Sequence, residues 1–195
     1  MTIRTTLLAT GAAALAMAAT PAIAADYTID DTHTQANFRV THMGYSTMWG
    51  RFNEESGTVS FDPANPGDAS VNIVIDAASI DTNHGERDDH LRSPDFFNTA
   101  EFPEITFSST SVEVTGDNTA KITGDLTMLG VTKSVTLDAV YNGMGNYPWD
   151  DTTEVVGFDI SGVIDRTEFG MIYGVGGIGT EIKIDFELEA TRSLN

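Results

Sequence analysis

Four side chains in one polar stretch, Asp81, His84, Asp88 and His90, carry the atom types that hold a divalent metal and activate water on it. Spacing limits how far that chemistry can go. His84 and Asp88, at i and i+4, would share a helix face, but His90 lies about 240° round a regular helix from His84. Two imidazoles so placed cannot both reach one ion from unbroken helix. The stretch reads instead as a solvated helical loop whose Asp and Arg side chains cap and pair with one another. A metal-dependent hydrolase using Asp81, His84, Asp88 and His90 stands as the alternative.

Other candidates for chemistry are weaker. His33 and His42 have no Ser or Asp at a recognisable triad spacing, and no G-x-S-x-G occurs, so both read as hydrogen-bonded structural histidines. Gly174-Val175-Gly176-Gly177-Ile178-Gly179 matches the dinucleotide fingerprint, which needs a helix after it to hold a pyrophosphate. The next element here is a strand, so the match reads as a glycine loop between strands, at a cavity entrance. The acidic pairs Asp30-Asp31 and Asp150-Asp151 point to opposite faces of extended chain and cannot converge on one substrate atom. There is no cysteine, which removes disulfides, zinc–thiolate sites, a cysteine nucleophile and a lipid anchor through Cys.

The elements that must position these groups are strands. In Glu181–Ala190 every even position is apolar and every odd one charged, the period of a half-buried strand. The rhythm recurs over 37–42, 71–75, 121–128, 134–139 and 157–164, with shorter examples at 58–61 and 104–107. Asp62-Pro63, Asn65-Pro66-Gly67, Gly116-Asp117-Asn118, Leu129-Gly130 and Asn142-Gly143 supply turn chemistry between the runs. The pattern predicts one all-β domain, a barrel or a sandwich, broken by a short helical segment around residues 82–98 and stopped by Pro94. Phe38, Val40, Phe52, Phe61, Phe107, Leu126, Met128, Phe158, Ile160, Ile184 and Phe186 would point to one side. Alternation is the same whether that side is a filled core or a ligand pore.

Ten basic residues stand against 29 acidic ones, a net charge of −19 that repels nucleic acid and anionic membrane surfaces. At the N-terminus, Arg4, the apolar run Leu7–Ala19 and the small-x-small end Ala22-Ile23-Ala24 make the three parts of a secretory leader over residues 1–24. Cleavage near Ala24 would leave a domain over 25–195, exported to the periplasm.

Beyond these patterns, Asp30…His33-Thr34, Phe38…His42 and Gly44-Tyr45-Ser46…Gly50-Arg51-Phe52 resemble the opening of YceI-family proteins. Ser79-Ile80-Asp81-Thr82-Asn83-His84…Arg87-Asp88…His90-Leu91-Arg92-Ser93…Asp95-Phe96-Phe97…Phe102-Pro103 is similar to the family's most specific segment, and Gly124-Asp125-Leu126-Thr127…Gly130-Val131-Thr132-Lys133 to the hairpin that follows. The resemblance runs from about Tyr27 to Ala190. It implies an extended, lipocalin-like antiparallel barrel whose pore holds a polyisoprenoid, of quinone or polyprenol type, with no catalytic activity. On that reading the apolar residues above line the pore, His42, Tyr45 and Arg166 form its polar rim, and there is no cofactor or metal besides the lipid cargo. A homodimer is compatible with it; nucleic-acid binding and stable membrane insertion are not expected. Asp165–Gly170 carries an Arg-x-x-Phe-Gly form widespread in the family, whereas Met171–Gly179 varies within it, so no head-group preference carries over. A solid-cored, stress-related interaction protein is the remaining alternative.

Overall fold

The computed structural model describes residues 24–195, so the leader expected over residues 1–24 lies outside the described residues apart from Ala24. The alternating runs form eleven strands: β1 (Ala25–Ile29), β2 (Gln35–His42), β3 (Ser46–Phe52), β4 (Glu55–Phe61), β5 (Ser70–Asp76), β6 (Ile80–Asp81), β7 (Glu104–Val114), β8 (Thr119–Met128), β9 (Val131–Tyr147), β10 (Asp150–Asp165) and β11 (Ile178–Ser193). One helix, α1 (Gly85–Arg92), interrupts them between β6 and β7, inside the segment expected to be helical.

Register shows how the sheet closes. β11 pairs with β2 along Ile178–Glu187 and with β1 at Ala190 and Thr191, so β1 and β2 are two halves of one bent strand on a single edge. The same holds for β3 with β4, which pair with β2 and β1 in turn, and for β5 with β6. Counted this way, eight long antiparallel strands follow one another in chain order round a closed meander, β11 returning to β1 and β2. Barrel, not sandwich, is the outcome, and closure leaves no long edge for another chain to pair with.

Turn chemistry held at most junctions. Leu129 and Gly130 both take positive φ, 53° and 71°, in the two-residue turn joining Met128 to Val131. Asn142-Gly143 is a correction: it lies inside the 17-residue β9. The register slips there, Gly157 facing Gly143 while Phe158 faces Tyr141, and glycine takes the φ of 148° that the bulge requires. Long strands absorb a bulge because pairing resumes on both sides of it.

The two ends of the barrel differ. At the end holding the N-terminus of β1, Phe61, Tyr141 and Phe158 form an aromatic cluster with centroids 5.1 to 5.7 Å apart, packed beside buried Val156, Leu188 and Ala190. Tyr27 donates to Glu154 Oε2 at 2.7 Å and Arg192 Nε donates to the same oxygen at 2.6 Å, tying β1, β10 and β11 together. Burial and the Glu154 carboxylate push the Tyr27 phenol up to about 12. This end is a filled core.

The bend between β1 and β2 is held by Asp30. Its Oδ1 accepts from Thr32 N and Oγ1 at 3.0 and 2.6 Å, and its Oδ2 accepts from His33 Nδ1 at 2.8 Å and from the Tyr147 hydroxyl at 3.3 Å. Burial alone would raise the carboxyl, but the bonds from His33 and Thr32 outweigh it and hold Asp30 at about 2. A carboxyl depressed on folding contributes stability above its unfolded value of 3.8, and that contribution drains away as pH falls towards 2. The expected result is that Asp30→Asn costs on the order of 1 kcal/mol at pH 7, after allowing for solvent screening, and clearly less at pH 2, where the Asp30 carboxyl is about half protonated. Urea unfolding of both proteins at the two pH values measures it.

Candidate functional site

The other half of the barrel encloses a cavity of about 370 Å³. Its wall is the inward face of the strands: Ile182, Ile184 and Phe186 on β11, Ile160 and Ile164 on β10, Val135 and Leu137 on β9, Ile122, Leu126 and Met128 on β8. Phe38, Val40, Ile75, Ile122, Val135, Ile182 and Ile184 point inward yet are only partly buried, because the space they face is cavity rather than packed neighbours. A filled small barrel would bury such side chains almost completely.

Glycines keep the bore open. Gly50, Gly124 and Gly162 share the inward parity, and a Cβ at each would collide with a side chain of the neighbouring strand: the Phe38 ring, the Phe107 ring and Leu137 Cδ2 respectively. Two large rings thus lie back over glycine against the wall instead of projecting across the lumen.

Nine of the eleven residues expected to line a pore do so: Phe38, Val40, Phe52, Phe107, Leu126, Met128, Ile160, Ile184 and Phe186. Phe61 and Phe158 share their parity but sit in the aromatic plug of the filled end. Parity states which face a residue takes, not how far along the barrel axis it lies.

The helical segment forms the roof. Leu91, Phe96 and Phe97 face the cavity, and Phe97 meets Phe52 edge-on at 5.6 Å. The polar residues that invited a metal are spent on fixing this roof. His84 caps α1 by accepting from Arg87 N at 3.3 Å. Buried Asp88 accepts from Thr82 N and Oγ1 at 2.9 and 2.5 Å, and Asp81 accepts from Asn83 N at 2.8 Å. Arg87 and Arg92 donate to the carbonyls of Thr82, Ala78 and Ile80, while His90 bonds Asp95. Asp81, His84, Asp88 and His90 therefore do not converge. Asp88→Ala is expected to cost about 1–2 kcal/mol, since it removes the acceptor of the part-buried Thr82 N–H and hydroxyl, and to speed amide exchange over residues 82–97 ahead of the strands. Hydrogen exchange read by mass spectrometry checks it.

Among the described residues, the group of possible ligand atoms that does gather is Asp30, His33 and Glu189. Both Asp30 oxygens already accept two hydrogen bonds each, so this is the bonded turn between β1 and β2, with no lone pair aimed at an ion.

The three residues expected at a polar rim separate. His42 lines the cavity at the end of β2. Tyr45 is 90% exposed on the turn to β3 and does not reach it. Arg166 lines the cavity but is buried, its guanidinium turned to backbone: Nε donates to Gly179 O at 2.9 Å, Nη1 to Met171 O at 2.7 Å and Nη2 to Ile178 O at 3.3 Å. Burial lowers its pKa, with the neighbouring Asp165 charge opposing. Arg166 is thereby the clamp on the glycine loop after β10. That loop, as expected, joins two strands beside the cavity entrance, where Tyr173 packs at 5.1 Å on His90 and Phe96.

Known proteins share this architecture. A family model described as the YceI-like domain matches residues 27–190. "Protein YceI" of Escherichia coli is 44% identical over 182 residues, covering 92% of this chain and 94% of that one. The crystal structure of BcnA from Burkholderia cenocepacia superposes with a TM-score of 0.74 at 26% identity, over 83% of this chain and 99% of that one. A polyisoprenoid binding domain from Saccharophagus degradans has the same fold, with a TM-score of 0.63 at 19% identity.

Proposed function

The chain belongs to the YceI-like domain family, and from that premise we propose that it is a binding protein, not an enzyme, whose cavity takes the tail of a long-chain isoprenoid lipid. The observation that carries the reading is the row of inward, apolar, half-buried side chains along a bore closed at one end by Phe61, Tyr141 and Phe158. Such a wall offers apolar contact along a length and few polar groups to orient a reacting atom. Each buried methylene stabilises a complex by roughly 0.8 kcal/mol, so a tail gains affinity by filling the bore without specific hydrogen bonds. The Saccharophagus degradans relative in fold is described as polyisoprenoid binding, which fits the same chemistry.

The finer reading is carriage or sequestration of a quinone or polyprenol in the periplasm. The leader pattern over residues 1–24 supports export, and a tail of this kind needs a container in any aqueous compartment. The head group would sit at the roofed end, near His42, His90 and Tyr173.

Polyprenols of increasing length, titrated into delipidated protein, test the reading. Affinity is expected to climb at least tenfold per isoprene unit until the bore is full and then to level off. Affinity independent of length, or no binding at any length, would refute it.

A further inference from the structure

Charged residues make up 20% of the chain, yet two stretches, 40–50 and 169–180, contain no Asp, Glu, Lys or Arg. The fold brings these two stretches together. His42 pairs with Ile178 and Met43 N donates to Gly177 O at 2.6 Å, so the β2–β3 turn and the loop that Arg166 clamps form one continuous rim. The rim is apolar and outward-facing: Met43, Tyr45, Ile172, Tyr173 and Val175 are between 45% and 90% exposed. It borders the cavity, since Met171, Tyr173, His42 and Ile178 all line it.

A contiguous exposed apolar patch on an otherwise acidic protein marks an interaction site. Its composition argues what covers it. With no charge in either stretch, the patch offers nothing to an ionic partner, and the net −19 of the chain opposes approach to an anionic surface. Tyr at two rim positions is the residue type that settles at a membrane–water interface, where its ring is half buried and its hydroxyl stays wet. The rim borders one side of the cavity, at the end away from the aromatic plug.

We propose that this charge-free rim docks the barrel on a neutral lipid bilayer, mouth down, so that a tail passes between bilayer and bore without crossing water. The exchange of cargo rests on the lipid-carrier reading; the docking itself rests on the rim alone. Binding is shallow and reversible, because among the described residues the rim consists of two loops and no amphipathic helix.

Flotation of the purified chain with phosphatidylcholine vesicles tests it, beside Tyr45→Asp/Ile172→Asp, whose two sites are exposed enough to leave the fold intact by circular dichroism. The wild type is expected to float, and the double variant to lose binding at least tenfold. Vesicles enriched in phosphatidylglycerol are expected to bind less than pure phosphatidylcholine. Uptake of geranylgeraniol from detergent micelles is expected to be equal in both proteins, since the bore is untouched. No flotation of the wild type, equal flotation of the variant, or a preference for phosphatidylglycerol would each overturn the proposal. So would a wild-type dimer by light scattering that the variant converts to monomer, because a second copy would then cover the rim. Rim-dependent flotation without geranylgeraniol uptake by either protein would leave docking standing and remove the carrier reading instead.

Discussion

Val135→Trp is expected to abolish retention of an isoprenoid tail while leaving the barrel as stable as the wild type or more so. Val135 lies on β9 opposite Gly124, faces the cavity and is only half buried. An indole there would project into the bore, because the Val135 side chain lines the cavity and is not covered by packed neighbours. Excluding about five carbons of tail at roughly 0.8 kcal/mol each removes about 4 kcal/mol, close to a thousandfold in Kd. The same indole gains apolar contact, as cavity-filling substitutions do, by about 0.5–2 kcal/mol. In a solid barrel the substitution would instead overpack and cost about 1–3 kcal/mol. Tail affinity and urea midpoint, measured on one preparation, separate a pore from a core, since the two readings predict opposite signs of stability change.

Phe186→Asp acts on the frame rather than on the space inside it. Phe186 sits mid-strand in β11, opposite Ile160 on one side and Ala36 on the other, and is almost fully buried. Losing the ring costs about 3–5 kcal/mol, and an unpaired carboxylate in its place adds a further desolvation penalty. Together these approach the whole stability of an ordinary domain, about 5–15 kcal/mol. The variant is expected to be unfolded or molten at pH 7 by circular dichroism. Burial would raise the new carboxyl, so partial recovery is expected as pH falls and the group is neutralised. A well-folded Phe186→Asp that retains lipid at pH 7 would remove this strand face from the interior.

Much of this was legible in the chain because a strand's period is two and its face is read directly from parity. The alternation over 181–190 places Ile182, Ile184 and Phe186 inside and pairs outward Asp185 with Arg39. Closure was not legible from parity; it came from the family resemblance, and the register of β11 against both β1 and β2 explains it. The roof was under-read. Residues 81–97 have little periodicity, yet Leu91, Phe96 and Phe97 are apolar residues in a polar stretch, and each one faces the cavity. Height along the axis left no trace in the sequence, so Phe61 and Phe158 could not be told from lumen residues. The inward glycines at 50, 124 and 162 were the available signal for an open bore, since glycine on the buried face of a strand marks a place where something else comes close. Arg166 illustrates a further limit: a buried cation near a pore suggests a ligand, and here it serves three backbone carbonyls instead.

The most direct measurement is mass spectrometry of an organic extract of the protein purified from the periplasm of an expressing bacterium, with and without prior denaturation. The expected result is a polyisoprenoid, close to one per chain, released only on denaturation and missing from Val135→Trp. An extract without lipid, repeated from membrane-rich cells, or a lipid present equally in Val135→Trp, would contradict a cargo-bearing pore.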